Sequence, residues 1–451
     1  MENWDELTLN MLKEIISNKQ VKKLREIFEE VNIVDLAEMA EQCTLSEVLF
    51  IFKTVKKEVT ADLFAYLSID KQEELIKTFT GPEIKSILDN LYLDDVVDFL
   101  EEMPESIVKK VLHNATSEQR AEINTLLSYA PNSAGSIMTT DYVELFEHHT
   151  IEDAMEQIRR QGKTAETINT CFVINKSNTL LGSVSLRDIL FASEDMEIGE
   201  IMDTDIVSVT TGDDQEEVGY IFQKYDISVV GVVNSQYKLV GIITVDDVID
   251  VLEEEATEDI HLMAGIRPVE GSYLESNVWE IFKSRIPWLL ILMIPATLTG
   301  MIIDGNSAIL LIVPSLVNFI PMLMDTAGNA GSQASAMVIR GIVVDDLSIK
   351  DFIAVLFKEL RASFITGLIL FAINTLRIVV FMPDVGITVA VLVSITVFLT
   401  ITLANLIGGL LPLFALVIKI DPASMSGPVI TTLVDAVALL VYFSIAIAVL
   451  G

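Results

Sequence analysis

One carboxylate lies in the middle of an apolar segment near the end of the chain. Asp435 follows seven uncharged residues that begin at Pro428, and only uncharged residues come after it. An ionised carboxylate facing lipid costs roughly 2.5–3.5 kcal/mol on membrane-insertion scales, so we expect Asp435 to face a cavity or a cation. The alternative is a protonated carboxyl in a contact between helices. Because no Lys or Arg in this segment could pair with it, the pattern favours a pathway for cations over one for anions.

A polar stretch interrupts a second apolar segment at residues 325–333 (DTAGNAGSQ). Polar or irregular backbone at membrane depth is tolerated only where protein buries it or water lines it. Gly328 and Asn329 are therefore candidate pore-lining residues. Small residues such as Gly328 and Gly331 are also typical of closely packed helices, and the two interpretations are compatible.

Five apolar stretches predict five transmembrane helices, because about 20 apolar residues span a bilayer. They cover residues 286–303, 307–339, 362–382, 386–418 and 428–450. The second would extend roughly 50 Å at 1.5 Å per residue, against a hydrocarbon core near 30 Å, so it must tilt, break or project. Pro314 and Pro321 lie within it.

Loop charges orient these helices. Basic residues occur at 283–285, 340–361 and 419, whereas the loops 304–306 and 383–385 carry none. Positive residues favour the cytoplasmic side. We therefore expect a multi-pass protein of the plasma membrane, with a cytoplasmic N-terminus and Gly451 outside.

Most of the charge precedes the apolar segments. The chain has 451 residues, 51% of them hydrophobic, with 65 Asp and Glu, 30 Lys and Arg and a formal charge of −35. Only nine acids and six bases lie from residue 286 onward, which leaves −32 in the first 285 residues. This split predicts an acidic soluble module followed by a membrane module. It argues against a nucleic-acid binder, which needs a basic face.

Other signals suggest a cytoplasmic module without catalytic machinery. Residues 1–10 lack the basic and then apolar pattern of a signal peptide. Cys43 and Cys171 lack CxxC spacing and are expected to be free thiols. The sequence GKT at 162–164 lacks the first glycine of a phosphate-binding loop, and the four histidines lack metal-ligand spacing. We therefore predict that the chain is not an enzyme.

The soluble module contains an internal repeat. SIMT at 136–139 and EIMD at 200–203 open the two copies, and LGSVSLRD at 181–188 and VGIITVDD at 240–247 close them. A strand pattern and an acid-rich helix start lie between. The copies resemble a tandem pair of CBS domains, small α/β units that pair and often bind nucleotides or ions.

Helical segments flank the repeat. The first 130 residues show amphipathic spacing that predicts an all-α superhelical array. Asp94 and Asp98, four apart on one helix face, repel each other slightly; a bound cation would relieve this, although a solvated acidic face is the common alternative. Residues 246–259 (DDVIDVLEEEATED) predict an acidic connecting helix. Our hypothesis is that this helix moves with the repeat pair and acts as a gate that senses charge.

The domain order and several motifs together resemble the MgtE family of magnesium channels. The motifs are PMLMDTAGNAGSQ at 321–333, DP at 421–422 with SGP at 426–428, Asp435, and EEEATEDI at 253–260, which is similar to the family's plug helix. The resemblance implies a multidomain membrane protein with this organisation: a helical cytoplasmic domain at 1–130, CBS domains at 133–193 and 195–245, a connecting helix and linker at 246–283, and a five-helix pore domain at 284–451.

The resemblance also implies a function, a homodimeric Mg²⁺-selective channel that intracellular Mg²⁺ closes. Asp435 of each subunit would hold hydrated Mg²⁺, with Gly328 and Asn329 beside it. Some members bind ATP between the CBS units, and Arg187 and Asp188 are the nucleotide-binding candidates here. Mg²⁺ bridging the cytoplasmic domains and the plug helix would use carboxylates that match the family: Asp62, Asp94, Asp98, Asp214, Glu216, Asp226, Asp247, Glu255, Glu258, Asp259 and Asp421.

Two other functions remain open at this point. A secondary transporter that couples Mg²⁺ or another divalent cation to Na⁺ or H⁺ would use the same residues. A membrane-tethered nucleotide sensor would leave Asp435 without a role. The expected partners are a second copy of the chain, Mg²⁺ and other divalent cations, and the lipid bilayer, with no nucleic acid.

Overall fold

The computed structural model describes residues 8–268, 273, 276–345, 347–425 and 427–450. Parts of four predictions lie outside these residues. They are residues 1–7 of the N-terminus predicted to lack a signal peptide, residues 269–272, 274 and 275 of the linker, Ser426 of the SGP motif, and Gly451, which was predicted to lie outside the cell. The chain divides into two compact units, one ending at Leu252 and the other beginning at Glu253.

The first unit begins with an all-helical domain, as predicted. Polar N-caps start several of its short helices: Thr44, Thr80 and Thr116 each form a capping box with the Glu or Gln three residues later. The helices are α1 Leu9–Ser17, α2 Val21–Glu30, α3 Ile33–Glu41, α4 Leu45–Thr54, α5 Lys57–Ala65, α6 Ile69–Thr78, α7 Gly81–Leu88, α8 Leu93–Glu101, α9 Glu105–Asn114 and α10 Ser117–Leu126.

The predicted repeat forms two similar α/β units. Each has a three-stranded sheet in which the first two strands are parallel and the last two antiparallel. The first contains β1 Tyr142–Phe146, α11 Ile151–Gln161, β2 Thr167–Ile174, β3 Leu180–Ser185 and α12 Leu186–Phe191. The second contains α13 Ile198–Ile201, β4 Ser208–Thr210, α14 Gln215–Tyr225, β5 Val229–Val233, β6 Leu239–Thr244 and α15 Val245–Met263.

The two repeats exchange their opening segments. The backbone N–H of Thr139 donates to the carbonyl of Ile242 at 2.8 Å, and that of Asp203 donates to the carbonyl of Ser183 at 2.8 Å. Both contacts need a glycine on the receiving strand. A Cβ at Gly241 would lie 2.8 Å from the Thr139 carbonyl oxygen, and one at Gly182 would lie 2.4 Å from that of Asp203. The motifs that open the two copies therefore hold the pair together.

The second unit is helical. Its helices are α16 Val278–Gly305, α17 Ser307–Ile312, α18 Ile320–Asp345, α19 Phe352–Phe381, α20 Ile387–Ile418 and α21 Gly427–Leu450. Among the described residues, four helical stretches are long and apolar enough to cross a membrane: Val278–Gly305, Ile349–Phe381, Ile387–Ile418 and Ala423–Leu450.

The second predicted span is broken. It consists of α17, a 3-10 turn at Pro314–Phe319 that starts at a proline, and α18. The hydroxyl of Tyr442 in α21 donates to the Leu316 carbonyl in this turn at 2.9 Å, which satisfies one of the backbone acceptors that an α-helix would have used. The count of five membrane crossings therefore stays a prediction, in which α18 would add one crossing to the four stretches named above.

Glycines bring α18, α20 and α21 together. A Cβ at Gly408 would lie 2.0 Å from the Gly331 carbonyl oxygen, and one at Gly331 would lie 2.8 Å from Ile430. Near the C-terminal end of α19, the Arg377 guanidinium donates to the Asn374 side chain. The Asn374 amide in turn donates to the Ser394 hydroxyl of α20 at 3.0 Å. These contacts fix the helices that carry the polar residues of the unit.

Candidate functional site

Carboxylates from three parts of the first unit meet at the N-terminus of α8. The backbone N–H of Leu93 donates to the Asp141 carboxylate, just before β1, at 3.4 Å. Asp94 is only 6% exposed, and its Oδ1 atom has no hydrogen-bond partner. A buried polar atom without a partner is costly. Asp94 is therefore the residue of this cluster that most needs a proton or a cation.

The surroundings of this cluster disfavour ionised carboxyls. Burial raises the pKa of Asp94 to about 9, with further contributions from Asp247, Asp95 and Glu166. Burial and Asp247 raise the pKa of Asp95 to about 6. Burial and Asp247 also raise the pKa of Glu166 to about 7, and one Glu166 oxygen is buried without a partner. Each carboxyl thus makes ionisation of the others harder.

Asp247 links the second repeat to this cluster. It lies in the first turn of α15, and the Thr244 hydroxyl donates to it at 2.7 Å. Burial nevertheless raises its pKa, because the hydrogen bond offsets only part of the desolvation. The charged neighbours that raise the pKa values of Asp94, Asp95, Glu166 and Asp247 are all carboxylates.

This arrangement suits a divalent cation that keeps its water. In the part of the chain that the structure describes, no three His, Cys, Asp or Glu side chains converge closely enough to ligate one metal ion directly. Mg²⁺ dehydrates reluctantly and often binds through one or two carboxylates and several waters. A cation at this cluster, between the helical domain and the repeat pair, would therefore have to be held partly through water.

The sequence predicted only part of this cluster. Asp94 and Asp247 are in it, and Asp62 of α5 acts on Asp95. Asp98, predicted to share a face with Asp94, is exposed, whereas Asp94 is buried. Sequence reasoning missed four members, Asp95, Asp141, Glu166 and Asp246. The doublets Asp94-Asp95 and Asp246-Asp247 were a possible signal for two of them.

Three other predicted regulatory residues lie on α14 or cap its ends. Asp214 caps its N-terminus by accepting from the Glu216 backbone N–H at 2.9 Å, and Glu216 accepts from the Tyr220 hydroxyl at 2.9 Å. Asp226 ends the helix in the left-handed conformation, with φ of 51°. Asp214 and Asp226 therefore stand at opposite ends of the helix and are not brought together.

The predicted acids of the connecting helix lie in the second unit. Glu255, Glu258 and Asp259 are half-buried on α15. Asp421 is exposed after α20 and accepts from the Ala423 backbone N–H at 2.7 Å. The end of α15 approaches the start of α21 closely, since a Cβ at Gly427 would lie 2.6 Å from the Met263 carbonyl oxygen.

The predicted nucleotide-binding residues lie at the start of α12. Arg187 and Asp188 are both exposed, and the Ser185 hydroxyl donates to Asp188 at 2.6 Å. This cap repeats the Thr244–Asp247 cap of the second repeat. The first repeat thus presents its carboxylate to solvent, whereas the second presents it to other carboxylates.

In the membrane-domain unit, polar groups gather between α18 and α21. Asp435 is half-buried, its Oδ1 atom has no hydrogen-bond partner, and Asp325 is a charged neighbour. Asn405 of α20 also has a buried Oδ1 atom without a partner. Gly328 is buried against Thr431, where a Cβ would lie 2.9 Å from that side chain, whereas Asp325 and Asn329 are exposed.

Comparison with known proteins agrees with this organisation. Residues 320–445 match the family described as divalent cation transporter, 31–132 match the MgtE intracellular N domain, and 134–195 and 198–254 match the CBS domain. The chain is 32% identical to the magnesium transporter MgtE of Thermus thermophilus over 96% of its own length and 97% of the relative's. It is 29% identical to that of Bacillus subtilis, over 99% and 98%.

A solved structure is similar to the soluble part. It is described as the cytosolic domain of the Mg²⁺ channel MgtE in complex with ATP, and it matches with 33% identity and a TM-score of 0.51 over 54% of this chain and 100% of that one. The prediction of a transporter rather than an enzyme is confirmed. With full-length relatives, matching domains and apolar helices that can cross a membrane, this chain belongs to the MgtE family of magnesium transporters, which carry divalent cations.

Proposed function

We propose that this transporter is a Mg²⁺-selective channel that intracellular Mg²⁺ closes. The main support for this proposal is the polar surface of α18 and α21, where Asp325 and Asn329 are exposed and one oxygen of Asp435 has no hydrogen-bond partner. Polar side chains in a spanning helix must face protein or water rather than lipid. A second copy apposed through this surface would enclose a polar pathway, and the proposal is therefore a homodimer.

Asp435 is the proposed ion site of that pathway, with Asn329 beside it and Gly328 setting the approach of the helices. Two copies would supply two Asp435 carboxylates to one hydrated ion. Mg²⁺ keeps several waters and prefers oxygen ligands, so a pair of carboxylates in a polar passage suits it. Entry needs no energy-consuming motor, because a divalent ion gains about 4.6 kcal/mol in crossing 100 mV, inside negative.

Closure is proposed to depend on the acidic cluster at α8. When Mg²⁺ is scarce, the apposed carboxylates of Asp94, Asp247 and Glu166 disfavour the contact between the helical domain and the repeat pair. Bound Mg²⁺ would neutralise them and hold the contact. Asp95, Asp141 and Asp246 join this proposed site on the basis of their positions. The other regulatory candidates remain proposals: Asp62, Asp98, Asp214, Glu216, Asp226, Glu255, Glu258, Asp259 and Asp421. Because Asp98 is exposed, its expected contribution to closure is smaller than that of Asp94.

Several finer assignments follow from the same proposal. The acidic helix α15 would carry the movement of the repeats as a plug helix, within the domain limits 1–130, 133–193, 195–245, 246–283 and 284–451. The chain would lie in the plasma membrane with its N-terminus inside and its C-terminus outside. ATP is the proposed regulatory ligand near Arg187 and Asp188, because the similar cytosolic domain was solved with ATP.

Patch recording tests the proposal and separates it from coupled transport. A channel requires a reversal potential that follows the Mg²⁺ gradient alone, and current that falls as internal Mg²⁺ rises. A reversal potential that depends on Na⁺ or H⁺ would instead establish the coupled transporter. Mg²⁺ uptake that is unchanged in Asp435→Asn would remove the pore assignment.

A further inference from the structure

The membrane-domain unit contains a cavity of about 200 Å³ away from the polar surface of α18 and α21. It lies among the end of α15, the segment that follows, the third and fourth turns of α16, and the turn before α21. Its lining is mainly apolar, with one cation and one hydroxyl: Leu262, Gly265, Ile266, Arg267, Pro287, Trp288, Ile291 and Ser424.

The position of this cavity along α16 places it at a membrane boundary. Lys283 and Arg285 immediately precede the uncharged run that begins at Ile286, and the cavity is lined by Pro287, Trp288 and Ile291. Basic and aromatic side chains are typical of the zone where lipid headgroups meet acyl chains. Both the headgroup and the upper acyl chain of a lipid can therefore reach this level.

Two polar groups of the cavity have no partner among the residues that the structure describes. The guanidinium of Arg267 is exposed and forms no ion pair or hydrogen bond among the described residues; only its backbone N–H is used, donating to the Ser284 carbonyl at 3.1 Å. The indole Nε1 of Trp288 is buried without a hydrogen-bond partner. A cation and a donor thus lie beside an apolar wall, and both call for an anionic or carbonyl acceptor.

The backbone is shaped around the indole. Gly265 has a φ of 67°, and a Cβ there would lie 2.1 Å from the Trp288 ring. Only glycine allows both the left-handed conformation and this close approach. The indole is therefore held in place by the segment that joins α15 to α16, and the wall of the cavity is a defined surface rather than a chance gap.

We propose that this cavity binds a phospholipid with an anionic headgroup from the cytoplasmic leaflet. Its phosphate lies against the Arg267 guanidinium and accepts from the Trp288 indole N–H, and one acyl chain runs along Pro287 and Ile291. The apolar wall selects an amphiphile over a free anion, and the unpaired guanidinium selects a net negative headgroup. The lipid bridges the end of α15 and the start of α16.

Fluorescence quenching of Trp288 tests this assignment directly. The chain has three tryptophans, so the full-length protein with Trp4→Phe and Trp279→Phe reports on Trp288 alone. It is reconstituted in phosphatidylcholine vesicles that contain either dibrominated phosphatidylglycerol or dibrominated phosphatidylcholine. We expect dibrominated phosphatidylglycerol to quench the Trp288 fluorescence at about fivefold lower mole fraction than dibrominated phosphatidylcholine. This is the preference that one basic residue near an anionic surface confers.

Two variants separate the cavity from general charge attraction. Arg267→Gln should remove the preference for phosphatidylglycerol, whereas Lys283→Gln, at the same boundary but outside the lining, should keep it. Ile291→Phe, which fills the apolar wall and leaves Arg267 in place, should weaken quenching by phosphatidylglycerol. Inorganic phosphate at millimolar concentration should not reverse the quenching.

Four results would overturn the proposal. The first two are equal quenching by the two lipids in the parent and equal loss of the preference in Arg267→Gln and Lys283→Gln. The third is displacement of the lipid by inorganic phosphate, which indicates a site for free anions. The fourth is absence of quenching by either lipid, which indicates a protein occupant such as a second copy. None of these measurements depends on Mg²⁺ transport, so the lipid site can fail while the channel proposal stands.

Discussion

The molecule holds carboxylates in two contrasting ways. At the N-terminus of α8 they are crowded, and the charged groups that raise the pKa values of Asp94 and Glu166 are other carboxylates. Between α18 and α21 they are sparse, with Asp435 and Asp325 among hydroxyls, amides and glycines. A crowded site makes a contact depend on a bound ion, whereas a sparse, hydrated site lets an ion enter and leave. The same side chain can thus serve as a switch or as a passage.

Neutralising the sparse site should have the largest effect. Asp435→Asn removes a charge that, at about 4 Å from a divalent ion even in water, contributes about 2 kcal/mol, or more than tenfold in occupancy. We expect Mg²⁺ uptake in a transport-deficient host to fall by at least that factor. The matched control is Asp384→Asn, in the short turn between α19 and α20, which should keep uptake near the parent level.

The glycine contact that positions the sparse site should be the next most sensitive. Gly408→Ala places a methyl group against the Gly331 carbonyl, and overpacking of this kind typically costs about 1–3 kcal/mol. We expect a lower thermal unfolding temperature of the full-length protein in detergent, together with reduced uptake. Gly300→Ala is the control, because a Cβ at Gly300 meets nothing within 4 Å; equal effects in the two variants would contradict the contact.

The crowded site should show a smaller effect on gating. Asp94 has a pKa of about 9 without an ion, so Asp94→Asn resembles its protonated form and leaves the ion-free contact largely unchanged. It removes, however, a charge that bound Mg²⁺ would use. We expect half-closure to need about fivefold more internal Mg²⁺, equivalent to about 1 kcal/mol.

Asp98→Asn is the matched control for this variant, one turn away on the exposed side of α8. It should shift half-closure by less than about twofold, as is usual for exposed charges. If Asp98→Asn shifted gating as much as Asp94→Asn, the original pairing of Asp94 with Asp98 on one face would be the better description of the site.

The smallest expected effect is a pH dependence of stability without Mg²⁺. The pKa values of Asp94, Glu166 and Asp95 are raised to about 9, 7 and 6 in the folded state, so the folded state binds more protons than the unfolded state above about pH 4. These three carboxyls therefore favour the folded state most at low pH and oppose it increasingly as the pH rises towards 9.

Thermal unfolding of the full-length protein in EDTA measures this dependence. Raising the pH from 6 to 8.5 should lower the unfolding temperature by several degrees, and Mg²⁺ should reduce the loss. Asp94→Asn, which lacks the carboxyl of highest pKa, should show a shallower slope. A steeper slope in that variant would contradict the crowded-site description.

The sequence predicted elements better than contacts between them. The repeat was evident because its motifs recur, and the helical domain because its apolar spacing is regular. Pro314 and the length of the segment indicated that the second span could not be a plain helix, and the structure places the break in the turn Pro314–Phe319. Periodicity reports which face of an element is buried, and that was enough for these features.

The partners of Asp94 show where such reasoning stops. Spacing along α8 suggested Asp98, but the structure brings Asp94 beside Asp247 and Glu166, which are far away in sequence. Nothing local distinguishes Glu166 from other surface acids, because its burial arises only when the helical domain packs against the repeats. Tertiary contacts of this kind leave no periodic trace in the sequence.

The exchanged segments of the two repeats have a consequence for synthesis of the chain. Thr139 finds its backbone partner at Ile242, and Ser183 finds its partner at Asp203. As the polypeptide leaves the ribosome, the first repeat cannot complete its contacts until β6 of the second has emerged. The pair should therefore fold in one late step, and a nascent chain arrested before residue 242 should leave the SIMT segment open to proteolysis.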